Sequence, residues 1–86
     1  MEEGNPSGDV IQERAIAMLE MMSRIPVHGR LIMADLGINS RYQLNRVYKR
    51  ANEITDGLVK RVGKSEYYVR SVGDIEKILR EVELGR

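Results

Sequence analysis

Residues 56–70 read Asp56-Gly57-Leu58-Val59-Lys60-Arg61-Val62-Gly63-Lys64-Ser65-Glu66-Tyr67-Tyr68-Val69-Arg70. Over 58–62 and again over 66–70, β-branched and aromatic residues alternate with charge, the pattern of two half-buried strands. Gly63 sits in the short connection between them and supplies the backbone freedom that a tight hairpin turn needs. Successive strand residues point to opposite faces, so Tyr67 and Tyr68 diverge. The phase with Val69 marks Tyr67 as the buried one.

Upstream of Gly57 the hydrophobic period becomes helical. Ser40 and Gln43 have capping-box spacing, and Leu44, Val47, Tyr48, Ala51 and Ile54 follow as one apolar stripe that ends around 55–57. Before it lies a short helix over about 30–36, stopped by Gly37 in the left-handed conformation that ends helices. Ile38 is then expected in the core, and 26–29 form a short, extended connection. The first helix starts at Asp9, which fits a capping pair with Gln12. Its stripe is Ile11, Ala15, Met18, Met22 and Ile25, with Leu19 alongside. It ends near Arg24, because Pro26 disfavours helix at the residue before it. Residues 1–8, with Gly4, Asn5, Pro6, Ser7 and Gly8, read as a flexible tail. Downstream, Ser71 or Asp74 can cap a last helix over about 72–84, with Ile75, Ile78, Leu79 and Val82 on one face. The expected fold is α+β, mostly helical, with one domain over 9–86.

Composition narrows the function. A chain of 86 residues holds one modest core. It has no cysteine, which removes disulfides, thiolate metal sites and thiol nucleophiles, and it has a single histidine, His28. His28 reads as a loop histidine with its hydrogen bonds met, and the methionines as core filler. No phosphate-binding glycine loop, metal-ligand spacing or Ser/His/Asp set is present, so no enzyme, metal, cofactor or small-molecule ligand is expected. No apolar run is long enough to span a membrane, and residues 1–9 are acidic and polar, unlike a secretion signal. A cytoplasmic, DNA-associated location follows as the expectation. Net charge is +1, yet residues 41–70 carry eight basic side chains against three acids, +5, which leaves −4 for the rest. Such polarisation is the footprint of phosphate binding.

The order helix, short helix, glycine turn, longer helix, basic hairpin, helix resembles the winged helix-turn-helix superfamily of DNA-binding proteins over roughly residues 9–70. Two segments carry the likeness. Ile32-Met33-Ala34-Asp35-Leu36-Gly37-Ile38 is similar to the family's second helix and turn, and Asp56-Gly57-Leu58-Val59-Lys60-Arg61 to the start of its wing. The resemblance implies a winged helix: a three-helix core with a helix-turn-helix, a β-hairpin wing and here an additional C-terminal helix. Two features depart from the pattern. Met33 stands where the family often has a small residue, and the stretch 37–57 is about one helical turn longer than usual, which implies an extended third helix or a longer loop after it.

In that family the helix starting here at Ser40 would enter the major groove, where base edges display distinct donors and acceptors. Steps of about 100° per residue place Tyr42, Asn45, Arg46 and Lys49 opposite the apolar stripe. Asn can pair bidentately with adenine, Arg with guanine, and Lys serves base or phosphate. Ser40 and Arg41 at the helix start are placed to hold a phosphate. Polar outer helix faces are general; this one carries Arg and Lys with Glu53 as its one acid. On the hairpin, Lys60, Arg61 and Lys64 are the backbone contacts, Lys64 at the tip. Lys60 serves equally well as protection of an edge strand. Arg30 is either a phosphate contact or plain surface. Ile75, Ile78, Leu79 and Val82 pack either on the first helix or on a second copy, and a homodimer reading a pseudo-palindrome is favoured.

The expected function is double-stranded DNA binding by a small transcriptional regulator, such as a repressor. Two other readings compete: a winged-helix adaptor that binds protein in a transcription or replication complex, and a nonspecific chromatin or RNA binder.

Overall fold

A computed structural model of the protein describes residues 8–84. Its elements run α1 (Gly8–Met21), β1 (Val27–His28), α2 (Gly29–Leu36), α3 (Arg41–Ile54), β2 (Val59–Val62), β3 (Glu66–Val69) and α4 (Val72–Leu84). The strands form one antiparallel sheet in the order β1-β3-β2. The fold is thus α+β and mostly helical, as expected. The two hairpin strands are each one residue shorter than the alternation predicts, although the Arg70 N–H still donates to the Leu58 carbonyl at 3.1 Å.

α1 lies along α3, and the core forms between them and under the sheet. It consists of Ala15, Met18, Leu19 and Met22 from α1 and its exit, Ile32, Ile38, then Leu44, Val47 and Ala51 from α3, with Val59, Tyr67, Val69 and Ile75 closing it. Burying each large apolar side chain contributes about 1.5–3 kcal/mol. Tyr67, not Tyr68, is the buried tyrosine, and Ile38 is buried too, both as the sequence predicts.

The end of α1 corrects the sequence reading. The helix stops at Met21 rather than near Arg24, and Ile25 is 74 % exposed instead of finishing the apolar stripe. The Ser23 hydroxyl accepts from the Ile25 N–H at 3.1 Å, and the Ser23 carbonyl accepts from the Val69 N–H at 2.9 Å. Once its polar groups bond to a side chain and to β3, the backbone has left the helix and the stripe no longer continues. The start also differs. Gly8 already belongs to α1, so Asp9 lies inside its first turn, and the Gln12 side chain accepts from Arg50 Nε of α3 at 2.7 Å. The rest of the expected tail, residues 1–7, falls outside the described residues.

The segment read as a connection holds the third strand. Val27 pairs with Tyr67 and His28 with Glu66, which makes β3 the central strand. His28 is also the N-cap of α2, its Nδ1 accepting from the Arg30 N–H at 3.0 Å. One ring nitrogen thus has its hydrogen bond met, although His28 lies on a strand and not in a loop. Replacing a cap by Ala costs about 0.5–2 kcal/mol. His28→Ala is expected to lower the urea unfolding midpoint accordingly, and His28→Asn, which can also cap, to recover most of the loss.

Gly37 ends α2 with φ +68°, the left-handed cap the sequence predicts. Met33 is half-buried and packs against the core. Ser40 caps α3, its hydroxyl oxygen accepting from the Gln43 N–H at 3.1 Å, while Gln43 itself is buried. Most of the stretch 37–57 is taken up by the 14-residue α3, and only residues 55–58 connect it to β2. α3 closes on the buried Thr55, whose hydroxyl donates back to the Ala51 carbonyl at 2.9 Å. Asp56 and Gly57 then turn the chain with positive φ into β2.

Ser71, rather than Asp74, caps α4: its hydroxyl oxygen accepts from the Asp74 N–H at 3.2 Å. Ile75 sits in the chain's own core, and Leu79 packs against that core. Ile78 and Val82 are half-buried. Of the four residues set aside for dimerisation, Ile75 is therefore already committed. Among the described residues, no helix is long and apolar enough to cross a membrane.

Candidate nucleic-acid interface

α3 turns its apolar stripe to the core, which leaves Arg41, Tyr42, Asn45 and Lys49 exposed and Arg46 half-exposed on the other side. The predicted face therefore exists as a surface. The Arg46 guanidinium lies 6.0 Å from the centre of the Tyr42 ring, one turn away. Ser40 is half-buried and its oxygen accepts in the cap, while its hydroxyl proton can still be donated outward.

The charge balance of this face is set by Arg50. Its Nε reaches Gln12, and its Nη1 pairs with Glu53 at 3.0 Å. The pair is exposed, so it contributes at most about 0.5 kcal/mol of stability. Its larger consequence is electrostatic. The one acid on the outer side of α3 is paired with an arginine that also bonds Gln12 of α1, and Arg41, Arg46 and Lys49 all place positive charge on the same face.

The hairpin is fixed against α3 at two points. Asn52 Oδ1 accepts from the Val59 N–H at 3.3 Å, at the base of β2. Further out, the Arg61 guanidinium lies 5.9 Å from the centre of the Tyr48 ring, and Tyr48 in turn meets Tyr67 with ring centres 5.2 Å apart and planes tilted by 59°. A cation over an aromatic face gains about 0.5–1 kcal/mol at exposed sites. Arg61 is thereby held over α3, beside the turn that carries Asn45 and Lys49. Its register explains the direction. Arg61 pairs with Tyr67, on the face of the sheet that meets the helices, whereas Lys60 pairs with Tyr68 on the outer face.

The three basic hairpin residues thus separate. Arg61 joins the α3 surface, Lys64 stands exposed in the turn, and Lys60 points away, half-buried. Tyr48 and Asn52, which join helix to hairpin, were not among the predicted site residues. Tyr48 reads as stripe because it borders the apolar face, and only the register of Arg61 with Tyr67 marks it as a support. Among the described residues, no three His, Cys, Asp or Glu side chains converge to hold a metal ion. What this surface offers is hydrogen-bond donation, positive charge and one amide able both to donate and to accept. Neither a family model, nor a curated protein, nor a solved structure matches this chain.

Proposed function

We propose that the protein binds double-stranded DNA as a winged helix and acts as a small transcriptional regulator, α3 entering the major groove and the hairpin lying on the adjoining backbone. The observation that carries this reading is Arg61 seated over Tyr48. It brings helix and hairpin together as one cationic surface, an arrangement that suits a groove and its flanking phosphates. Asn45, Arg46 and Lys49 read base edges. Arg41, Arg61 and Lys64 take phosphates, and these contacts set register and affinity without choosing sequence. A homodimer through Ile78 and Val82 of α4 belongs to the same reading; a sedimentation mass of one chain at micromolar concentration would remove it.

The test is a fluorescence-anisotropy titration with random-sequence duplex at low and near-physiological salt. Binding at micromolar concentration or better is expected, weakening steeply with salt. Absence of binding at low salt overturns the proposal and favours the protein-adaptor reading. The two halves of the surface differ in a second respect. Arg46→Ala is expected to weaken binding and relax sequence preference, by about 1–3 kcal/mol where it meets a guanine. Lys64→Ala is expected to weaken all duplexes alike and to lower the log–log salt slope by about 0.9.

A further inference from the structure

The outer face of the sheet carries a second basic cluster, which α3 does not reach. Lys60 pairs across the ladder with Tyr68, so the two side chains are neighbours on that face. On the other side of β3, the bond from the Val69 N–H to the Ser23 carbonyl brings the α1 exit alongside the strand and Arg24 with it. Arg24, Tyr68, Val69 and Arg70 line one cleft. The ring therefore lies between Lys60 across the ladder and Arg24 beyond the other edge of β3, with Arg70 two residues further along the chain. Arg24 and Arg70 are exposed, and among the described residues none of these three cations makes an ion pair. The acid on this face is Glu66, two residues before Tyr68 and opposite His28 and Val62.

Three cations without an ion pair among the described residues, set around one half-buried aromatic ring, suit an anionic ligand with a flat apolar part. Phosphate alone would leave the ring unused, and the bases of a duplex are stacked out of its reach. An unpaired base with phosphates on both sides supplies both elements, because every base has a face that stacks on an aromatic side chain. We propose that this face is a second nucleic-acid site that takes a single strand, a base stacking on Tyr68 and the flanking phosphates resting on Arg24, Lys60 and Arg70. It shares no residue with the α3 surface and lies on the opposite face of the hairpin, so either site can fail without the other.

The test uses the full chain and a fluorescein-labelled oligothymidylate, with a random duplex run in parallel. Salt-sensitive binding of the single strand is expected. Tyr68→Ala should weaken it about tenfold or more and Tyr68→Phe should preserve it. Arg24→Ala and Arg70→Ala, both at exposed positions that leave the fold intact, should each weaken it and lower the salt slope by about 0.7. Lys77→Ala on α4 is the neutral control. No single-strand binding at low salt overturns the proposal, as does strand binding indifferent to Tyr68→Ala and to both arginine variants. Loss of duplex binding in Lys49→Ala, with the Tyr68-dependent strand binding kept, identifies two separate sites. Absence of duplex binding alone counts against the α3 reading only.

Discussion

Tyr67→Ala is expected to lower the free energy of unfolding by about 3–5 kcal/mol, the range for removing a buried aromatic ring. The ring is 2 % exposed on the central strand, opposite Val27 on one side and Arg61 on the other. It also packs against the tilted ring of Tyr48 and closes over Gly29. Truncation therefore opens a cavity where the sheet, α2 and α3 meet, and no single neighbour can move to fill it. A domain of this length has about 4–13 kcal/mol in total, so the variant is expected to lose a large fraction of its stability. Tyr67→Phe keeps the ring and should change stability by less than about 1 kcal/mol. Urea unfolding followed by circular dichroism checks both. A Tyr67→Ala protein as stable as the parent would mean that the sheet does not close over the helices in this way.

Gly29→Val should come next in size. A Cβ at Gly29 would lie 3.0 Å from Leu44 Cδ2, 3.1 Å from Tyr67 Cε1 and 3.4 Å from the Ser65 carbonyl oxygen. The Gly29 N–H also donates to that carbonyl at 2.6 Å, so the backbone has no room to withdraw. The φ of Gly29 is not in the left-handed region, so the penalty is crowding and not conformation. Overpacking of this kind costs about 1–3 kcal/mol. Gly29→Ala should fall low in that range, since the Leu44 methyl can yield, and Gly29→Val at its top or beyond. Adding Leu44→Ala supplies a further check. It is destabilising alone, but it makes space beside Gly29, so the Gly29→Ala/Leu44→Ala double variant should be more stable than the sum of the single effects predicts. Simple additivity in denaturant unfolding would sink the crowding explanation.

These two residues also show where sequence reading stops. Features governed by local rules are visible in it. The hairpin alternates, Gly37 needs a left-handed conformation, and Ser40 caps the nearest free N–H groups of its own helix. Val27–His28 is a strand only because β3 lies beside it, and two residues carry no period of their own. Gly29 is required by Leu44 and Tyr67, which are close in space and distant in sequence. Ile25 continues the α1 stripe on paper, yet a side-chain bond from Ser23 ends the helix before the stripe does. The outer face of α3 was legible because helical spacing fixes it. The support of Arg61 by Tyr48 was not, because a residue at the border of a stripe looks the same whether it fills the core or props up a site. Arg24 and Arg70 come from separate segments, and only the contact of Ser23 with β3 places them together.

The central position of β3 has a kinetic consequence. Its pairing with β2 closes across a three-residue turn, a local event on the microsecond scale. Its pairing with β1 joins Val27 to Tyr67 and encloses α2 and α3 in the loop, and contacts of such long sequence separation are slow to form. Assembly is thus ordered. The hairpin and the helix it rests on are expected to form the nucleus and Val27 to dock late, so substitutions at Val27 should speed unfolding far more than they slow folding. During synthesis the same order imposes a delay. α1 and α2 leave the ribosome with Met18, Leu19 and Ile32 uncovered; α3, which lies along α1, is the first element able to cover the α1 face, and β3 completes the enclosure when it closes the sheet.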